Sequence, residues 1–459
     1  MLDMNAFRQF GQALANLGKS AKRTQIDADE QVRRAKDIIL EKLDRDVAMD
    51  LDACVHCGYC AEACQFAIDT DDPKLVPTRK LDLMRRVYRR EASPLAPLRR
   101  IFTRDISAEE LAEWELLCFD NCTECGRCTT ICPMGINIAR GVGIMREALS
   151  AAGHVPAEIL ALQQEQQDKG TFLGAGSDQL HQAIEIVRGR GIEVHLDKPK
   201  ADVLLLSTAP DILLFHDALA ATAKVLNAAK MDWTLRSEGF EAGNFGMLSG
   251  VLRTERKATE AIIQQALEIG AKMVIVPECG HAYPALRWVG AEIHGAALPF
   301  RIVAISELLG ELVADGRIRL KPDFPQKVFY HDACQLGRRG GIFDEPRTAL
   351  KAMGADVRDS AQEGVLNWCC GGGGGNSMNT RAAPQRARAF EIKRRQVETS
   401  GAEALVLSCA SCRMTLLGDA QIKHWDMPLI SLVELAGEHL DDTHATGSQA
   451  PNQAPRAMS

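Results

Sequence analysis

HDACQLGRRGG at residues 331–341, NWCCGGGGG at 367–375 and Cys409-Ala410-Ser411-Cys412 decide how this chain reads. They carry five cysteines: Cys334, the adjacent Cys369 and Cys370, then Cys409 and Cys412. Thirty-four residues separate Cys334 from the pair, and thirty-eight separate the pair from Cys409. Neighbouring cysteines do not easily bond to each other, but both thiolates can point into one metal cluster. The glycines Gly371 to Gly375 fit that picture, because a backbone wrapped round a bulky inorganic ligand needs positive φ and no Cβ in the way. The alternative is a glycine-rich loop beside buried structural cysteines. Several thiols converging at close spacing favour the metal.

Upstream, Cys54, Cys57, Cys60 and Cys64 have two, two and three residues between them, and Cys122, Cys125, Cys128 and Cys132 repeat the pattern before Pro133. This is the bacterial ferredoxin run, whose fourth cysteine ligates the other cluster. It predicts two [4Fe-4S] cubanes: one on Cys54, Cys57, Cys60 and Cys132, the other on Cys122, Cys125, Cys128 and Cys64. Gly58 and Gly126 ease the tight turns. The first run ends Cys64-Gln65 without the usual proline, which shapes the exit but is not a ligand. Two zinc sites are the competing reading, but zinc sites pair short spacings across a gap rather than repeat a run of four. Leu81–Arg90 and Ala108–Leu117 between the runs read as helices. Arg85, Arg86, Arg89 and Arg90 form a basic face, expected to be solvated. Cys118 reads as a buried structural thiol, since four ligands already stand beside it.

Residues 201–440 read as two copies of one α/β unit. Asp202–Ser207 and Val328–Asp332 open as strands, helices follow, and Met273–Val276 and Ala404–Leu407 close as strands. Glu241-Ala242-Gly243-Asn244-Phe245-Gly246 falls where the cysteine pair and its glycines fall, so the first copy has lost its cluster. Alternating strands and helices predict parallel sheets with ligands at the strand ends. Cys279, in Pro277-Glu278-Cys279-Gly280-His281, stands beside the position of the Cys409–Cys412 motif. It is either a loop cysteine or, with His281, part of a catalytic pocket, depending on whether the copies pack face to face. His331, Asp332, Arg338 and Arg339 flank Cys334. They either stabilise loops or supply a proton and hold an anionic substrate.

The fold expected is α+β: an expanded α-helical two-cluster ferredoxin-like module, then two α/β repeats. The boundaries are 1–48 for N-terminal helices, 49–155 for the module and 156–200 for a connector. The degenerate repeat spans 201–325, the intact one 326–440, and a polar disordered tail 441–459. In the first segment Phe7, Phe10, Leu14 and Leu17 make an apolar stripe, and Asp27–Leu43 reads as a second helix. The GTFLGAGSD stretch matches no nucleotide-loop spacing, and no flavin or nicotinamide fingerprint occurs. Net charge over the 459 residues is −7, which argues against nucleic acid as a partner. No apolar run reaches the ~18–20 residues of a spanning helix. A cytoplasmic protein is expected, peripheral on the inner face of the membrane through a partner. Thirteen of fifteen cysteines fall in clustered spacings, which in a reducing compartment reads as metal ligation.

HDACQLGRRGG, NWCCGGGGG, EAGNFG and PECGHA resemble the CCG domain of heterodisulfide reductase, and the whole order of segments is similar to its D subunit and to DsrK-like iron–sulfur proteins. The resemblance implies that Cys334, Cys369, Cys370, Cys409 and Cys412 hold a non-cubane [4Fe-4S] cluster. It implies an oxidoreductase of sulfur groups fed by the two cubanes, with a membrane b-type cytochrome on the quinol side. The partner substrate it implies is a sulfur-carrier protein or a small disulfide or trisulfide. Two rivals stand beside it: an electron-transfer subunit of a glycolate- or lactate-type flavin dehydrogenase complex, and a scaffold in which the five cysteines hold structural zinc.

Overall fold

A computed structural model describes residues 12–13 and 16–441. Phe7, Phe10 and Leu14 of the N-terminal stripe, and the tail beyond Asp441, lie outside them; Leu17 packs against the core. Asp27 caps the helix Ala28–Glu41 by accepting the Glu30 N–H, and Asp44 caps Arg45–Ala53 in the same way. The second of these helices ends at Cys54, the first ferredoxin-type cysteine.

The α+β architecture has a helical N-terminal half and two four-stranded parallel sheets. Between the cysteine runs, Asp82–Val87 continues into a wide π-turn at Tyr88–Ala92. Ala108–Glu115, opened by a Ser107–Glu110 capping box, continues likewise through Leu116–Asp120. The basic face of the first helix is not uniformly solvated. Arg85 is 3% exposed, bonded to the Asp82 carboxylate at 2.5 Å and the Leu51 carbonyl at 3.2 Å. Arg86 pairs with Glu110 at 2.7 Å. Acceptors on neighbouring segments draw both guanidinium groups inward. Cys118 is fully buried, as expected of a structural thiol.

Residues 156–200, expected as a connector, hold two packed helices, Ala157–Lys169 and Ser177–Arg188. Their apolar residues Ile159, Leu162, Leu180 and Ile184 are buried. Two glutamines are buried with them: Gln163 donates to Thr254 Oγ1 and Gln166 to the Gly243 carbonyl, both at 2.6 Å. Burial is tolerated because these amides find partners.

Strands β1 (Val203–Leu205), β2 (Trp233–Thr234), β3 (Met273–Val276) and β4 (Arg301–Ala304) form one sheet in the order β2-β1-β3-β4. Strands β5 (Lys327–Tyr330), β6 (Asp356–Val357), β7 (Ala404–Leu407) and β8 (Leu429–Ser431) form the other, β6-β5-β7-β8. The matching orders and registers make the sheets two instances of one unit. They pack reciprocally. The helix after β4, Ile305–Ala314, lies on Asp344–Ala352 of the other unit, and the helix after β8, Leu432–Glu438, lies on His216–Ala228. Gly310 and Gly437 permit the approach: a Cβ on Gly310 would stand 2.4 Å from the Glu345 carbonyl, and one on Gly437 2.7 Å from the Ala221 Cβ. The units meet where β3 and β7 end, with the Ala410 N–H donating to the Glu278 carbonyl at 2.6 Å. A second apolar cluster, packed between the sheets, contains all five downstream cysteines and Cys279.

Candidate metal centres and thiol cavity

The two ferredoxin-type runs take one backbone path. His56 and Gly58 have positive φ (54° and 79°), and Glu124 and Gly126 repeat this at 52° and 77°. Left-handed residues two and four past the first cysteine curl each run so that its thiols face inward. Cys60, pushed up by burial, lies within electrostatic reach of Cys54 and Cys132. Cys128, also pushed up by burial, feels Cys125, Cys64 and Cys122. The fourth cysteine of each run thus stands with the other run, the donor arrangement that two cubanes require. Cys57 is exposed at the rim of the first set. Around it Val55, Tyr59 and Met134 are 68%, 50% and 50% exposed.

The five downstream cysteines are all buried and form a chain of thiol contacts. Cys125 and Cys334 lie within hydrogen-bond reach of Cys369, Cys369 and Cys412 within reach of Cys370, and Cys412 within reach of Cys409. Those contacts pull Cys369 and Cys409 down to about 7 and Cys370 well below the usual thiol range. The same contacts push Cys334 and Cys412 well above it. Backbone amides add to this: Gly371 N–H donates to Cys369 Sγ and Gly372 N–H to Cys370 Sγ, each at 3.4 Å. Gly371 has φ +91°, and a Cβ on Gly372 would fall 2.0 Å from Thr415 Oγ1. Soft donors in this number, ringed by N–H groups, suit an iron–sulfur cluster.

The second ferredoxin-type run and the downstream set touch. Besides the Cys125–Cys369 contact, Cys369 lies 3.5 Å from Thr123 Oγ1, and Arg338 donates to the carbonyls of Cys125 (2.8 Å), Val365 (2.7 Å) and Asn367 (2.5 Å). Arg146, 1% exposed, donates to the carbonyls of Cys118, Cys122, Leu248 and Gly374. Neither Thr123 nor Arg146 stands out in the sequence.

A cavity of about 580 Å³ opens beside the downstream thiols, lined by Cys334, Cys370, Cys409 and Cys412 together with Cys279 and His281. Arg339 also lines it. The face-to-face packing brings Cys279 and His281 there, with the Gly280 N–H donating to Cys409 Sγ at 3.4 Å. His281 Nε2 accepts the Asn244 N–H at 3.2 Å, so its Nδ1 carries the proton, 3.7 Å from Cys279 Sγ. Burial pushes His281 down to about 4 and Cys279 well above the thiol range, so the pair is neutral near pH 7. The EAGNFG segment, through Asn244, therefore orients the imidazole.

Of the two readings for Asp332 and Arg338, the structure favours loop stabilisation over proton supply or anion binding. Asp332 is bidentate to Arg347 at 2.7 and 2.9 Å, and Arg338 is spent on carbonyls. His331 is buried with one ring nitrogen within 4.8 Å of the Cys370 and Cys412 sulfurs. No helix among the described residues is long and apolar enough to cross a membrane.

Comparison with known proteins agrees with this geometry. Residues 50–136 match the 4Fe-4S dicluster domain family, and residues 328–417 match the cysteine-rich domain family, CCG. The chain is similar to the Hdr-like menaquinol oxidoreductase iron-sulfur subunit 2 of Archaeoglobus fulgidus, at 25% identity covering 86% of this chain and 81% of that one. It is similar to the D subunit of the dihydromethanophenazine:CoB--CoM heterodisulfide reductase of Methanosarcina mazei, at 28% identity covering 85% and 94%. It also resembles the EtfAB:quinone oxidoreductase of Syntrophomonas wolfei, at 27% identity covering 81% of this chain and 55% of that protein.

Proposed function

We propose, from the premise that this chain belongs to the CCG-domain iron–sulfur proteins akin to the D subunit of heterodisulfide reductase and is an electron-transfer subunit of such an oxidoreductase, that its downstream thiol centre makes or breaks sulfur–sulfur bonds. The observation that carries this is the shared cavity: four of the five CCG cysteines, Cys334, Cys370, Cys409 and Cys412, line it together with the Cys279–His281 pair.

Cys54, Cys57, Cys60 and Cys132 hold one cubane, Cys122, Cys125, Cys128 and Cys64 the second, and Cys334, Cys369, Cys370, Cys409 and Cys412 the third centre. The clusters, when bound, supply one-electron steps at potentials tuned by hydrogen bonds and exposure. The protein sets the order. Exposed Cys57, with Val55, Tyr59 and Met134 around it, is the port for an outside electron carrier. The half-buried second set abuts Cys369 and is the inner step.

Reduction, R–S–S–R′ + 2 e⁻ + 2 H⁺ → RSH + R′SH, needs two electrons and two protons. The Cys279 thiol, held against the His281 Nδ1–H, supplies a proton to a departing sulfur and is re-protonated from the cavity. Arg339 offers positive charge to an anionic substrate in the same space. The complex is membrane-associated and quinol-linked, with this subunit on the cytoplasmic side beside a b-type cytochrome. Its substrate is a sulfur-carrier protein or a small disulfide or trisulfide.

Similarity to the EtfAB:quinone oxidoreductase favours a second reading, in which the third centre is a wire between a flavoprotein and quinone and no disulfide binds. Electron paramagnetic resonance of the anaerobically reconstituted protein separates the two. A paramagnetic species that appears on oxidation only with added thiol supports sulfur chemistry. A third centre indifferent to thiols, with a flavoprotein co-purifying, supports the wire.

A further inference from the structure

We propose that His331 donates a hydrogen bond from Nε2 to the Cys370 and Cys412 sulfurs, and so holds the reduction potential of the third centre up. This rests on the reading that these thiols hold a redox centre. His331 lies just past β5, 1% exposed, with its backbone N–H tied to the Val406 carbonyl at 2.9 Å. A ring nitrogen and the Cys370 and Cys412 sulfurs all lie within 4.8 Å of one another. Nδ1 is occupied by Asn367, and Nε2 is buried without a protein partner. A buried donor left unmade costs roughly 1–3 kcal/mol, so it needs an acceptor in the space it faces.

The tautomer follows from a chain of fixed donors. The Asp332 backbone carbonyl can only accept and lies 2.9 Å from Asn367 Nδ2, while Lys393 Nζ, fully buried, donates to Asn367 Oδ1 at 2.8 Å. That fixes the amide, so Asn367 Nδ2 donates to the Asp332 carbonyl at 2.9 Å and to His331 Nδ1 at 3.2 Å. A neutral imidazole that accepts at Nδ1 carries its proton on Nε2. A protonated Nε2 has no lone pair for iron, so the geometry makes His331 a donor to the sulfurs rather than a sixth ligand. Donation to thiolate sulfur favours the more negative, reduced form of the centre it ligates, and so raises its potential. His331 stands beside Cys370 and Cys412, both of the third centre, so the effect falls on that centre.

The test is a redox titration of the reconstituted full chain, followed by paramagnetic resonance, with iron content measured in parallel. His331→Leu removes the donor, and His331→Gln keeps an N–H at similar reach. The expected result is a shift of the third centre alone to lower potential in His331→Leu, about tenfold in its reduction equilibrium or 59 mV for one electron. Iron content and both cubane potentials stay at parent values, and His331→Gln holds the parent potential. An unmoved potential in His331→Leu overturns the inference, as does loss of third-centre iron in both variants, which would make His331 a ligand or a packing residue. Absence of any third centre from the parent protein would instead sink the functional reading, and this inference with it.

Discussion

The Gly280 amide of the first α/β unit donates to the Cys409 sulfur of the second, at 3.4 Å. A unit without its own cluster thiols thereby supplies an N–H to the other unit's donor set. A side chain at 280 is tight: a Cβ would stand 3.2 Å from Cys409 Sγ, so that sulfur must give by a few tenths of an ångström. Gly280→Ala should push Cys409 out of its donor position. The expected outcome is a third centre that loses iron or changes spectrum, while both cubane signals keep parent intensity. An unaltered third-centre spectrum would show that Cys409 tolerates a methyl group against its sulfur.

Cys279 faces the cavity but lies outside the five-thiol set, so its removal separates chemistry from cluster assembly. Cys279→Ala should leave iron content and all cluster spectra at parent values. Turnover of a disulfide with reduced viologen as donor should fall by about 10²-fold, the size expected for losing a proton-transfer group. Turnover at the parent rate would remove Cys279 from the mechanism.

Cys369→Ser and Cys370→Ser should each abolish the third centre and disulfide turnover, and lower iron per chain by about a third if all three centres hold four irons. The cubanes should survive Cys370→Ser better than Cys369→Ser, since Cys369 alone of the pair touches Cys125. Metal analysis with paramagnetic resonance checks both points. A Cys370→Ser protein with weakened cubane signals would contradict the arrangement of the two sets.

Ligand chemistry is local, and this is why so much of the site is legible in the cysteine spacings. Three thiols within seven residues can reach one cluster whatever the rest of the fold does. Two sheets were legible from the strand–helix alternation. What depends on packing was not. The Cys125–Cys369 contact joins segments over two hundred residues apart and leaves no local mark. The helix Ala157–Lys169 hid behind Gln163 and Gln166, whose polarity reads as solvent exposure but serves buried acceptors. One usable signal does lie in the sequence: Glu307-Leu308-Leu309-Gly310-Glu311 and Glu434-Leu435-Ala436-Gly437-Glu438 repeat one pattern, and their glycines mark the two reciprocal helix crossings. Arg85 shows the opposite error, a basic stripe taken for a solvated face although a carboxylate and a carbonyl held one of its members inside.

Arg146 joins the ferredoxin-like module, the first α/β unit and the glycine loop through four carbonyls, and it is ion-paired with Glu124 at 2.9 Å. Truncation leaves those carbonyls and that carboxylate without their donor in a buried place. Arg146→Ala should cost at least about 3 kcal/mol of stability, with chemical unfolding as the measure. Arg146→Lys cannot span the same carbonyls with one ammonium and should rescue little. A loss below about 1 kcal/mol in Arg146→Ala would mean that water or a shifted neighbour replaces the guanidinium.

Glu241, where the first unit carries no cluster cysteine, is fixed by N–H groups of Ala209 (2.9 Å) and Gly243 (2.7 Å), yet burial raises its carboxyl from 4.5 to about 8. The folded value lies above the unfolded one, so the folded state keeps a proton that the unfolded chain has released. Stability is therefore complete below pH 4.5, falls as pH rises to about 8, and levels above it. The slope within that window is about 1.4 kcal/mol per pH unit from this group alone. Glu241→Gln cannot ionise, but its NH₂ cannot accept one of the two amides, a loss of about 1 kcal/mol. The variant should therefore unfold more easily than the parent near pH 5 and less easily near pH 8. Glu278, also raised by burial, tilts both proteins alike, whereas Asp211 acts on Glu241 and shares in the difference, so the crossing reports the Glu241–Asp211 pair. Urea unfolding of both proteins at several pH values tests it: curves that stay parallel across the window would mean that Glu241 does not hold its proton in the folded state.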